Sequence, residues 1–420
     1  MKYQRLSLSK AVAAVLGAAA FAPAAHAIDI NAGDWKVSID GHVNAHYVYS
    51  RCDTSPAVIA GGLACIDASA SPSSSSSSVS NGLLPAALSI SGATTQNGYD
   101  IGFTFGLYPG ISTNDGGSPN LQATNAPTQA TTHTALGTAG LDVRQVFLTF
   151  GNKDMGTVMA GRNIGLLGAD AILNDMTLLG VGAGNGTYAA PANTSLGSIG
   201  LGYIYTDWLS QIDYTTPDLS GVKATVGIFD PLNTLGQIPA AKKAPGFHAK
   251  VAYTAGPLYL SASGLVQQQR NTTADVAVNN GDYTSWAVDF GGKYDIAGFE
   301  VAGWYYTGKG VGTTGLFVNS DDGAGDPRKS NGFLAQATYK FMDTKFGINY
   351  GQSKLQTASG DTGIARADLV ENNNKITFGV YHDLTPNLML VLEFSRIASL
   401  NQAGQENTSR NVNIGAFLKF

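Results

Sequence analysis

In one run after another between residue 35 and Phe420, apolar and polar side chains alternate one for one. In the first run, Trp35, Val37, Ile39, Gly41, Val43, Ala45, Tyr47 and Tyr49 occupy one face, and Lys36, Ser38, Asp40, His42, Asn44 and His46 the other. Successive side chains of a strand point to opposite faces, so the pattern specifies β-structure with two unlike sides. Residues 99–107, 247–253, 258–266, 286–294, 299–305, 333–341 and 412–420 repeat it. No Asp, Glu, Lys or Arg stands on these apolar faces, whereas Lys223, Lys250, Asp289, Lys293, Glu300, Lys340, Lys375 and Glu393 stand on opposite ones. A soluble sheet tolerates charge at its strand ends. Lipid does not: Lys or Arg facing it near the bilayer midplane costs about 2–4 kcal/mol in a barrel. The exclusion predicts an all-β transmembrane antiparallel barrel, with lipid outside and water inside.

Composition agrees. Charged residues make up only 13% of the 420 residues and the mean hydropathy is zero. Yet no apolar run after residue 27 is long enough for a transmembrane helix. Short connections are predicted near residues 93–98, 151–155, 215–221, 256–257, 295–298, 342–344 and 383–387. Long ones are predicted near 51–82, 109–140, 163–200, 231–246, 268–282, 309–330, 354–373 and 397–410. Seven short turns and eight long loops join 16 strands, the even count of an outer-membrane barrel. Ser73–Ser78 reads as a low-complexity, flexible part of the first loop.

The first 27 residues read as an export signal. Lys2, Arg5 and Lys10 precede a short apolar stretch, Ala11–Phe21, and Ala25-His26-Ala27 offers the small residues of a cleavage site. The barrel domain is then 28–420. Removing residues 1–27 takes three cations and no acids from the chain's 25 Lys+Arg and 30 Asp+Glu, which leaves a net charge of −8. An acidic, exported chain is not expected to bind nucleic acid. Its two cysteines, Cys52 and Cys65, lie close together in sequence and are expected to form a disulfide in an oxidising compartment.

Four places resemble the Gram-negative general porin family. Gly161-Arg162-Asn163-Ile164-Gly165, with Asp170 and Asn174-Asp175-Met176 after it, is similar to the start of that family's third loop. Tyr214–Gly221 and Tyr381–Leu388 resemble two of its periplasmic turns, and the chain ends on Phe420 as such proteins do. The resemblance spans the mature chain. It implies an outer-membrane homotrimer of water-filled channels for passive diffusion of small polar solutes and ions. It also implies contact with lipids and lipopolysaccharide, and insertion by the outer-membrane assembly machinery with Phe420 as the signal. The third loop, 163–200, would fold into the lumen. Arg162, with Arg144 as a second cation, would then line the basic wall of a constriction opposite Asp170 and Asp175. Leu178, Leu179 and Val181 stand where the family often has another acid, which weakens the acidic half.

Lys36, Asp40, His42, Lys250, Asp289 and Lys340 are expected to line the lumen. Counting Arg144, Arg162 and Arg396 among the wall residues makes that lining net basic, which predicts a weak anion preference. His42 and His46 alternate on the inner face but lack a third metal ligand. Gly180–Gly184 lacks the strand–loop–helix setting of a phosphate loop and reads as flexible. Neither a Gly-x-Ser-x-Gly elbow nor a His-Glu-x-x-His motif occurs, so no enzyme, metal site or cofactor is expected. Three rivals remain: a substrate-specific channel with a binding track on the same wall, an outer-membrane enzyme or adhesin, and a soluble periplasmic β-protein, which membrane fractionation would separate.

Overall fold

Alternation becomes architecture because each strand can satisfy its backbone only on a neighbour, and hydrocarbon leaves no free edge. A computed structural model of the chain describes residues 27–52, 57–65, 75–111, 141–184, 194–233, 243–270 and 282–420. Most of the export signal therefore lies outside the described residues, as does most of the predicted loop 109–140. The strands begin with β1 (Ile28–Ala32), β2 (Trp35–Cys52), β3 (Ser75–Ser80), β4 (Ala87–Gln96) and β5 (Tyr99–Pro109). Next come β6 (Leu141–Asn152), β7 (Gly156–Ile164) and the short helix α1 (Ala169–Leu173). They are followed by β8 (Trp208–Thr215), β9 (Val222–Phe229), β10 (Gly246–Ala255), β11 (Leu258–Gln269) and β12 (Tyr283–Ile296). β13 (Phe299–Lys309), β14 (Lys329–Phe341) and β15 (Thr344–Leu355) lead to α2 (Gly363–Asp368). β16 (Val370–Asp383), β17 (Leu388–Asn401) and β18 (Glu406–Lys419) complete the chain.

β2 and β4 to β18 pair antiparallel with their neighbours in order, and β18 pairs back onto β2, so 16 strands close a barrel. The two short strands complete the edges of the long β2. On one edge β4 pairs with Lys36–His42 and β3 with His46–Arg51. On the other, β18 pairs with His42–Cys52 and β1 with Trp35–Ile39. Gly41 and Phe420 exchange both backbone hydrogen bonds where β18 ends.

The faces divide as predicted. On β12, Trp286, Val288 and Phe290 are exposed outside the barrel, while Ala287 and Asp289 are buried inside. Two connections differ from expectation. The long loop expected at 397–410 is only residues 402–405, because β17 and β18 run on past the apolar belt. Ser399, Asn401, Asn407 and Ser409 show no apolar alternation, but a backbone ladder beyond the lipid needs none. Ser75–Ser78, expected as flexible, belongs to β3 for the same reason: the edge of β2 supplies partners whatever the side chains.

Cys52, at the end of β2, is bonded to Cys65. The residues before Cys65 lie over β16 and β17: Leu63 N–H donates to Asn373 and Ser399, and Ala64 N–H to Ser399 Oγ. A bridge over a sequence separation of 13 contributes about 3 kcal/mol in the chain-entropy model. That contribution orders the loop, since the barrel has its own ladder. Reducing the bridge should therefore speed proteolysis within residues 53–65 and leave barrel resistance to SDS unchanged. Free, alkylatable thiols in protein extracted without reductant would show that no bridge forms.

Candidate functional site

The site begins where β7 leaves the wall. Arg162, opposite Val146, is its last rung with β6; Asn163 and Ile164 pair with β8 alone. The connection that follows, residues 165–207, is longer than the predicted 163–200 because β8 starts only at Trp208. Leu167, Ala171, Val181, Ala183, Leu201 and Tyr203 within it are almost fully buried.

Hydrogen bonds tie this segment to side chains on the inner faces of distant strands. Asp289 on β12 accepts from Gly168 N–H, and also from the Ser263 backbone and hydroxyl. Gln336 on β14 accepts from Met176 N–H and donates to the Asn174 carbonyl. Glu393 on β17 accepts from both Val181 and Gly182 N–H at 2.9 and 2.8 Å, and from Tyr381 Oη. Lys375 Nζ donates to the Gly197 carbonyl at 2.7 Å. The Gly180–Gly184 run is thus held rather than flexible. Successive backbone N–H groups form an anion cradle, and the anion is the chain's own carboxylate. A Cβ on Gly180 would collide with it.

The expected constriction residues do not gather in one place. Asp170, on α1, bonds Lys250 Nζ at 3.2 Å and Tyr259 Oη at 2.9 Å, against β10 and β11. Asp175 accepts from Tyr203 Oη, Asn349 and Thr177. Both acids fasten the segment: Asp170 meets the wall cation Lys250, and Asp175 hydrogen-bonds neutral side chains. Arg162 requires a correction. Its partners Val146 and Ser210 lie on the outward face, and its Nε donates to the Val143 carbonyl at 3.0 Å. That carbonyl sits on the stretch of β6 that β7 has abandoned, so the guanidinium caps a torn edge. Arg396 also faces outward, opposite Ile376 and Arg410.

Arg144 does face inward, beside a β-bulge between Gly106 and Leu107 of the adjoining strand. Its Nε donates to Asp142 at 3.1 Å, and its guanidinium lies over the Tyr108 and Trp208 rings at 5.2 and 5.6 Å. It borders a small cavity between the segment and the β5–β8 side of the wall. The rest of the lining is mainly apolar: Leu83 and Leu84 from the stretch before β4, Leu173, Leu178 and Leu196 from the segment, and Ile164. Burial pushes the nearby Asp207 carboxyl up to about 6, against the Trp208 N–H and the charges of Arg162 and Arg144.

The other expected lining residues stand on inner faces. Lys36 pairs with Asp29 at 2.8 Å and Lys340 with Asp383 at 3.0 Å. His42 Nε2 donates to the Pro85 carbonyl and its ring stacks on Phe417, and Asp40 lies opposite Ser89 on β4. Sequence reasoning missed the leucines, Tyr108 and Trp208. The available signal was two adjacent pairs, Leu83-Leu84 and Leu178-Leu179, in stretches otherwise rich in Gly and Ser. Among the described residues, no three His, Cys, Asp or Glu converge as metal ligands.

A family model described as Gram-negative porin matches residues 11–402. No curated protein sequence matches the chain. Among solved structures, the outer membrane channel DcaP of Acinetobacter baumannii is similar with a TM-score of 0.64 and 15% identity, over 93% of this chain and 99% of that one. An anion-selective porin from Comamonas acidovorans gives 0.58 and 16%, over 92% and 100%. OmpT of Vibrio cholerae, in a trimer form, gives 0.52 and 12%, over 92% and 99%. At these identities the likeness is one of fold.

Proposed function

The chain belongs to the Gram-negative porin family, and on that footing we propose how its channel is built. Family and fold make it an outer-membrane channel for passive diffusion of solutes, and point to a channel rather than an enzyme. In our reading, residues 165–184 and 194–207 cross the lumen and narrow it, and the open path runs between them and the β5–β8 wall. The observation that carries this is the set of buried anchors from Gly168, Met176, Val181 and Gly182 to β12, β14 and β17. They draw the segment toward one side of the barrel, and the cavity beside Arg144 is on the other.

Arg144 is then the selectivity residue of the wall. The wider charge count does not favour anions, because Arg162 and Arg396 drop out while Asp295 and Asp383 join the inner face. Fixed charge at the narrowest point outweighs distant charge, since screening in dilute salt reaches only about 10–30 Å. In a potassium chloride gradient across a planar bilayer, wild-type protein should show a weak anion preference that fades as salt rises. Arg144→Glu should move the reversal potential toward cations further than Lys419→Glu, near the rim. Equal shifts would remove Arg144 from the narrow zone. Arg144→Gln, which adds no charge beside Asp142, should give the same direction at smaller size.

Four further parts belong to this reading. Residues 1–27 are an export signal, and Phe420 is the assembly signal read by the insertion machinery. The protein is a homotrimer, a state named for the OmpT structure of like fold. Lipopolysaccharide contacts the rim that bears the long connections. There, Arg396, Arg410 and Arg51 lie directly opposite one another on β17, β18 and β2, all facing outward. A row of guanidinium groups suits phosphate.

A further inference from the structure

We propose that the cavity beside Arg144 selects small monocarboxylates that carry an apolar body. The proposal deepens the channel reading and rests on it. Arg144 is the cavity's one charged lining residue among those described. Asp142 holds its Nε, while the Tyr108 and Trp208 rings hold its plane. The guanidinium is therefore fixed in direction, and its Nη atoms have no protein hydrogen bond among the described residues. A fixed guanidinium edge matches a carboxylate through two parallel bonds. Asp142 is paired with that guanidinium, and the acids of the segment are bonded elsewhere: Asp170 with Lys250 and Tyr259, Asp175 with Tyr203 and Asn349.

The rest of the solute is specified by what surrounds the arginine. Leu84, Leu173 and Leu196 are partly exposed to the cavity and Leu83 and Leu178 back them. A polyhydroxylated solute would shed water here with few partners to replace it, which is unfavourable. A short alkyl or aryl chain would instead cover leucine surface that water now touches, which is favourable. One charged end and one apolar end describe a simple carboxylic acid anion. A second carboxylate would find no second cation in the lining.

The test uses the purified full chain in planar bilayers carrying potassium chloride current at neutral pH. Acetate, butyrate and hexanoate are added as potassium salts, with hexanol as the neutral control. The half-blocking concentration should fall along the acid series, by at most about fourfold for each methylene fully desolvated. Hexanol should block far less than hexanoate. Leu173→Ser, on the segment, should flatten the dependence on chain length while acetate is unaffected. Arg144→Gln should weaken block by all three acids. Should that variant fail to fold, the wild-type comparison of hexanoate with hexanol still decides the charge requirement. Equal block by all three acids, or equal block by hexanol and hexanoate, would overturn the proposal with the channel intact. Absence of any chloride current would overturn the channel reading first, and this proposal with it.

Discussion

Arginine in place of Val288 should remove most of the folded protein from the membrane. Val288 lies mid-strand on β12, faces outward and is 42% exposed. Near the midplane an arginine facing lipid costs about 2–4 kcal/mol, a large share of the margin by which any protein is folded. The matched control is Thr225→Arg on the inner face of β9, where the side chain is half-buried and, among the described residues, hydrogen-bonds only Thr215 through its hydroxyl. The measurement is the yield of SDS-resistant protein in outer-membrane fractions. Equal yields for the two variants would mean that inside and outside have been exchanged. Strand parity alone would nominate Asp289 as the tolerant neighbour of Val288. The structure disqualifies it, because Asp289 anchors Gly168 and Ser263.

The second large effect is expected at Glu393. Its carboxylate is almost fully buried and holds the Val181 and Gly182 N–H groups together with the Tyr381 hydroxyl. Truncation to alanine strands three donors away from water, a loss on the order of 3 kcal/mol or more. The barrel ladder does not pass through that carboxylate, so Glu393→Ala should still assemble. What it should lose is the fastening of residues 165–207. Single-channel records should then show greater open-channel noise and frequent brief closures. Glu393→Gln keeps one acceptor and should fall between the two. A Glu393→Ala channel as quiet as wild type would mean the segment is held by its other anchors alone.

The barrel was legible because lipid acts on every strand in the same local way. A single misplaced charge is expensive, so the period-2 pattern is kept wherever the chain meets hydrocarbon. Past the belt that rule lapses, and the extensions of β17 and β18 and the serine strand β3 could not be read. The site was less legible for a different reason. Asp170 and Asp175 were correctly placed on the segment after β7, but their partners lie at Lys250, Tyr259 and Asn349, far along the chain. Nothing near either acid in sequence shows which way it turns. Arg162 failed on phase: it follows Val158 and Ala160 on the outward side, and the point where β7 abandons β6 leaves no mark in composition. Arg144 was found only as a plausible second cation, and the leucines facing it looked like ordinary loop residues.

The reciprocal bonds between Gly41 and Phe420 bring β1 and β18 end to end on a single edge of β2. The ring therefore has one joint, and β18 is the strand that shuts it. Without residues 411–420, the Leu388–Ser395 stretch of β17 and the His42–Ser50 edge of β2 would be two facing rows of unpaired amides and carbonyls, with nothing between them but lipid. Such a product has no partly useful form. The geometry makes closure all-or-none: either this one joint is sealed along its length, or the sheet keeps an open edge that hydrocarbon cannot satisfy.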